Sequence, residues 1–201
     1  MRIAAAADSP DPGGMWNLIF LAAVLPALPE ADLLHRQAAA HFEAGRCRDA
    51  ARAEARAFDL WSRLPGLPAG ALIPLHANLA EMYVCAGRLT DAERHAGQAL
   101  TLIASDCPTC LREKANSLSV RAGVAYESGR VPEAVTLREE VTRVLEKLPG
   151  EPVRLAVAIA NTGWLLGALA DYPAAREHFA RALRILTTAH HTDDLAYALI
   201  L

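Results

Sequence analysis

One short segment recurs three times in this chain at a spacing of 42 residues. Each copy has an aromatic residue shortly before a Gly-Arg pair and an alanine five positions after the glycine. The copies occupy residues 42–50, 83–92 and 126–134, and their glycines are Gly45, Gly87 and Gly129. A looser fourth copy, LADYPAA in residues 169–175, follows 41 residues after the third. A fixed period of this size indicates a solenoid, in which each repeat buries its apolar face against its neighbours.

The composition predicts that these repeats are helical. The chain is 53% hydrophobic but only 5% aromatic, and alanine and leucine supply most of its apolar residues. Both are strong helix formers, whereas strands prefer β-branched and aromatic residues. We therefore predict an all-α fold, an α-solenoid of antiparallel helix pairs spanning residues 30–201. Its repeats are expected at about 31–68, 69–107, 108–150 and 151–191, with residues 192–201 as a partial fifth repeat, a terminal orphan helix.

The first 29 residues precede the predicted array. Residues 1–14 are rich in Pro and Gly and are expected to be a disordered lead-in. Residues 15–29 hold an apolar run that is too short for a membrane span, so we expect no transmembrane segment. Residues 15–27 suit a signal peptide, which implies export, but the acidic residues Asp8 and Asp11 lie upstream where a signal peptide is basic. The alternative is a short N-terminal helix in a cytoplasmic protein, and a start at Met15 is a further alternative.

Small residues recur where two helices of a pair would cross closely. They form three series along the four repeats: Ala38, Ala80, Ala122 and Gly163; Ala50, Ala92, Ala134 and Ala175; and Ala57, Ala99, Val141 and Ala182. Together with the segment NLAEMY at residues 78–83, this pattern resembles the tetratricopeptide repeat (TPR) family, in its 42-residue kinesin-light-chain-like form. The resemblance implies a right-handed superhelix and a non-catalytic scaffold that binds a protein or an extended peptide in its concave groove.

The resemblance also implies which side chains line that groove. In the family, the first helix of each pair faces the groove, and an Asn there hydrogen-bonds the backbone of a bound peptide; Asn78 and Asn161 match that position. Three glutamates in the set would make the groove mildly acidic, which favours a partner with basic and aromatic residues. The candidate groove residues are Phe42, Glu43, Asn78, Glu81, Cys85, Tyr126, Glu127, Asn161 and Trp164.

Cys107 and Cys110 form the sharpest local motif, a C-P-x-C at a predicted helix start. Three interpretations are open: free thiols, a local disulfide in an exported chain, or a redox or metal-linked pair. A zinc site needs two further ligands, and Cys47 and Cys85 do not complete one convincingly. The common nucleotide-binding, hydrolase and metalloprotease motifs are absent from the sequence. We therefore expect no enzymatic activity, no cofactor and no metal.

Charge and the chain end narrow the partners. The net charge is −3 and the pI is near 6.2. Nucleic-acid binding needs a clustered basic face, so we expect a protein partner and no nucleic acid. The orphan helix at residues 192–201 ends in apolar residues, which suggests self-association through it or a truncated array. A thiol-redox module built on Cys107 and Cys110 and a self-assembling spacer are the alternative functions.

Overall fold

The computed structural model describes residues 28–103 and 107–191. These residues form eight α-helices and two short 3₁₀ helices, and they include no strand. The lead-in, most of the apolar segment and the orphan helix predicted for residues 192–201 lie outside the described residues. In chain order the α-helices are α1 (Pro29–Glu43), α2 (Cys47–Ser62), α3 (Leu72–Cys85), α4 (Leu89–Leu102), α5 (Leu111–Glu127), α6 (Val131–Leu145), α7 (Pro152–Ala168) and α8 (Tyr172–Thr188).

The helices pack in sequential pairs. α1 packs on α2, α3 on α4, α5 on α6 and α7 on α8, and the second helix of each pair contacts the first helix of the next. The apolar clusters follow the same order; one of them joins Ala38 and Ala50 of the first pair to Leu79 and Val120 of the next two. Each pair therefore buries its core against its neighbours, and the predicted all-α solenoid is confirmed.

The turns inside the pairs explain the recurring glycines. Gly87 has a φ of +74°, in the left-handed region that favours glycine. The amide of Arg88 donates to the carbonyl of Tyr83 at 2.8 Å, which closes the end of α3 as a Schellman motif. The fourth pair makes the same turn with Ala170 at a φ of 63°, and Asp171 donates to Leu166 at 2.9 Å. The turn is therefore preserved where the glycine is not.

The recurring small residues lie where the helices of a pair cross. Ala38, Ala80 and Ala122 have at most 1% of their surface exposed, and the two series on the second helices are buried as well. Gly163 takes the place of these alanines in α7. A Cβ there would lie 3.1 Å from the carbonyl oxygen of Ala175 and 3.1 Å from Cβ of His178. α7 and α8 thus approach more closely than the other helix pairs allow at this position.

Gly163→Val is expected to lower the free energy of unfolding by about 1–3 kcal/mol, because the side chain would have to push α8 away. Gly123→Val is the matched control, since a Cβ at Gly123 meets nothing within 4 Å. It is expected to change stability by less than about 0.5 kcal/mol. Urea unfolding followed by circular dichroism measures both, and equal effects would contradict the close approach of α7 to α8.

Candidate binding surface

An aromatic pair joins the third and fourth repeats. Tyr126 near the end of α5 and Trp164 in α7 meet edge to face, with ring centroids 4.8 Å apart and planes at 69°. Both side chains are half-buried, so part of each ring faces solvent. We call Tyr126 and Trp164 the aromatic patch. A partly exposed aromatic pair of this kind offers a large contact area with little loss of side-chain freedom on binding.

The two asparagines predicted to bind a peptide differ in exposure. Asn161 lies one helical turn before Trp164 and is half-buried. Asn78 occupies the equivalent position of α3, but only 7% of its surface is exposed. The structure thus brings Asn161 next to the aromatic patch along α7, while it leaves Asn78 little surface to offer a ligand.

The remaining predicted groove residues have different surroundings. Glu43 and Glu127 are exposed at the ends of α1 and α5, and Glu81 is half-buried in α3. Phe42 packs against the core cluster shared by the first three repeats. Cys85 is exposed at the end of α3, but its sulfur is bonded to another cysteine. The candidate residues therefore do not form one uniform surface.

Polar contacts fix α7 against α5 beside the aromatic patch. Arg154 of α7 donates through Nη2 to Oδ1 of Asn116 in α5 at 2.5 Å and through Nη1 to Oε2 of Glu151 at 3.0 Å. Arg112 of α5 forms an ion pair with the same Glu151. Sequence analysis did not single out these residues, because the pairing joins residues 38 positions apart. They hold the two helices that carry the patch.

All four cysteines are paired in the structure. Cys107 and Cys110 form a disulfide in the 3₁₀ turn before α5. Cys47, the first residue of α2, and Cys85, the last of α3, form a second one with a Cα–Cα distance of 5.2 Å. The second bond escaped sequence analysis. Its one sequence signal is that Cys47 lies two residues after Gly45 and Cys85 two residues before Gly87. This places both at neighbouring turns.

The comparisons with known proteins bear on the family. A family model for the tetratricopeptide repeat matches residues 113–188, nearly the whole of α5 to α8. The described helix pairs before them repeat the same turns and buried alanines. The chain is a tetratricopeptide-repeat protein.

Solved structures agree with the fold of this TPR protein. The apo form of RapI is similar with a TM-score of 0.67 and 15% identity, over 81% of this chain and 58% of RapI. BtubC (BKLC) from P. vanneervenii is similar with a TM-score of 0.64 and 18% identity, over 89% of this chain and 75% of BtubC. The chain thus spans less than two thirds of RapI. At these identities the likeness shows the fold alone. Among curated proteins, no sequence matches this chain significantly.

Buried polar pairs hold the first two repeats of the TPR array. His35 Nδ1 lies 2.7 Å from Glu54 Oε2, between α1 and α2. His76 Nδ1 lies 2.8 Å from His95 Nδ1, between α3 and α4. Each second pair member lies 19 residues after the first, so the pairs take corresponding places in successive repeats.

Burial sets the charge state of the second pair. It lowers the pKa of His95 to about 4, with smaller contributions from the charges of His76 and Arg94. Burial, then Arg94, also lowers the pKa of His76. Both rings are therefore neutral at pH 7, and one Nδ1–H can donate to the other, bare Nδ1. The pair acts as a structural hydrogen bond at neutral pH.

Within the described residues, no group of three His, Cys, Asp or Glu side chains is arranged to hold a metal ion. In the same part of the chain, no helix is both long and apolar enough to cross a membrane. The neighbourhood of the aromatic patch is built for contact, with aromatic, amide and carboxylate groups supplied by α5 and α7.

Proposed function

We propose that this TPR protein is a non-catalytic scaffold that binds an extended segment of a partner protein in a concave groove formed by its first helices, α1, α3, α5 and α7. The observation that carries the proposal is the half-exposed aromatic patch with Asn161 one turn away on α7. An amide side chain both donates and accepts, which suits the main chain of an extended peptide. The 42-residue period supports the kinesin-light-chain-like repeat type as part of this proposal.

The charge around the proposed groove selects the partner. Glu43 and Glu127 are exposed at equivalent helix ends, and Glu81 is partly exposed between them along the chain. Carboxylates without a nearby compensating face favour a segment that carries Lys or Arg. The aromatic patch adds an edge and a face against which an aromatic or long aliphatic side chain can pack. The proposed ligand is therefore a basic segment with at least one aromatic residue.

Trp164→Ala and Asn161→Ala are expected to weaken binding of such segments. Peptides would be selected from a random display library on the wild-type protein and their affinities measured by fluorescence anisotropy. Loss of Trp164 is expected to reduce affinity by about 30-fold, as is usual for a central aromatic contact. Loss of Asn161 is expected to reduce it by about tenfold through the lost main-chain hydrogen bonds.

Tyr172→Ala is the matched control, because Tyr172 is an aromatic residue with 69% of its surface exposed at the start of α8. Circular dichroism establishes that the variants keep the helicity of the wild type. The proposal requires that the selected peptides be rich in Lys, Arg and aromatic residues and that Tyr172→Ala bind them normally. Equal losses in all three variants, or selected peptides that are acidic, would overturn it.

A further inference from the structure

A cleft of about 770 Å³ lies along α2, two repeats away from the aromatic patch. Its walls are one face of α2 and the turn that joins α3 to α4, with the first turn of α1 at one end. Small side chains form its floor: Ala51 is buried, and Ala55 and Ala86 are half-buried. A floor of alanines lets the backbone of another chain come close. We call this space the α2 cleft.

Arginines line the α2 cleft. Arg48, Arg52 and Arg56 follow one another every four residues and so lie on one face of α2. All three are exposed, and within the described residues none of them forms an ion pair. Arg88 completes the lining from the opposite wall. Exposed arginines on a helix surface usually alternate with acidic residues that pair with them, and here three in a row have no such partner.

The charges of the α2 cleft are divided between its two ends. Glu30 and Asp59 lie where α1 begins and α2 ends, and Asp59 already pairs with Arg63 at 2.7 Å. Arg88 pairs with Asp91 at 2.6 Å and lies 4.2 Å from the centre of the Tyr83 ring. The unpaired positive charge is therefore concentrated along Arg48, Arg52 and Arg56. On a chain whose net charge is −3, this is a local reversal of sign.

The disulfide between Cys47 and Cys85 holds the two walls of the α2 cleft together. Cys47 begins α2 next to Arg48, and Cys85 ends α3 next to Ala86. A neighbouring depression of about 470 Å³ shares Arg48 and Ala86 with the cleft and runs past this bond. A binding site whose walls are covalently joined loses little freedom when a ligand enters. The cleft is thus preorganised and continues as a longer groove.

We propose that the α2 cleft is a second binding site, which takes an extended acidic segment of a partner protein. Successive arginines are about 6 Å apart along α2, from four residues at 1.5 Å each. Alternate side chains of an extended peptide are about 6.6–6.8 Å apart on one face. A segment with an acidic residue at every second position therefore pairs each carboxylate with one guanidinium. Stacking of nucleic-acid bases needs aromatic side chains, and none lines this cleft.

The test uses a fluorescein-labelled peptide of alternating Glu and Thr, with a peptide of alternating Gln and Thr as its uncharged control. Anisotropy measures binding to the full chain with its disulfides intact. The wild type is expected to bind the Glu peptide with an affinity that falls as salt rises, because the contacts are exposed ion pairs. Arg48→Gln/Arg52→Gln/Arg56→Gln is expected to weaken binding by about tenfold or more.

Arg143→Gln/Arg176→Gln/Arg184→Gln is the matched control, since it removes three exposed arginines from α6 and α8 and the same net charge. It is expected to bind within about twofold of the wild type. Equal weakening by both triple variants, equal binding of the Gln peptide, tighter binding of a single-stranded oligonucleotide than of the Glu peptide, or no binding by the wild type would each overturn the proposal. Trp164→Ala should leave this binding unchanged, so failure here is distinguishable from failure of the groove proposal.

Discussion

Replacing Cys47 and Cys85 together by alanine is expected to lower the free energy of unfolding by about 4 kcal/mol. The bond joins residues 38 positions apart, so its loss frees a long loop in the unfolded chain. It also links the first repeat to the second, at the turns where α2 begins and α3 ends. Urea unfolding followed by circular dichroism, with and without a reducing agent, measures the effect. Because disulfides persist in oxidising compartments, the chain is expected to be markedly more stable there than in a reducing one.

The second disulfide provides the matched control for this prediction. Cys107 and Cys110 are only 3 positions apart, so the same entropy argument gives about 2 kcal/mol for their replacement by alanine. Under reducing conditions the wild type and the Cys47→Ala/Cys85→Ala variant should become equally stable. A difference that persisted after reduction, or a larger cost for the Cys107/Cys110 pair, would show that the long loop is not the source of the stability.

Lowering the pH from 7 to 4 is expected to cost about 2–3 kcal/mol of stability through the His76–His95 pair. The pKa of His95 lies at about 4 in the folded protein against an ordinary value of 6.5, and the pKa of His76 is lowered as well. Between those values the unfolded chain binds more protons than the folded one, so stability falls as the pH falls. The rings face Phe58, at 4.8 and 5.4 Å between centroids, and a charge there would be poorly solvated.

His76→Leu/His95→Leu isolates this effect. Replacing both partners of a buried hydrogen bond by apolar residues is expected to change stability little at pH 7. The comparison must be with the wild type at each pH, because burial raises the pKa of Glu113, which loses stability in the opposite direction, as pH rises. The difference between wild type and variant cancels that contribution. A pH dependence that stayed the same in the double-leucine variant would assign the acid sensitivity to other groups.

The repeat architecture could be predicted because its determinants are local and recur. Gly45, Gly87 and Gly129 mark turns that need a left-handed residue, and their spacing sets the period. The alanines seven residues before and five residues after each glycine are buried where the helices cross. A helix pair needs small residues wherever its crossing is close, so the pattern is visible without coordinates. The same reasoning located the groove residues only as positions on helices.

Which side chains meet was decided by the tertiary structure. Asn78 and Asn161 hold the same place in their repeats, yet Asn78 is buried and Asn161 is half-exposed, because the neighbouring repeats pack differently around them. The bond between Cys47 and Cys85, the contact of His76 with His95 and the row of arginines facing the α2 cleft depend on how successive helix pairs are stacked. The sequence by itself determined the helices, the turns and the period, since these depend on neighbours along the chain. Contacts between repeats depend on crossing geometry, which only the packed structure contains.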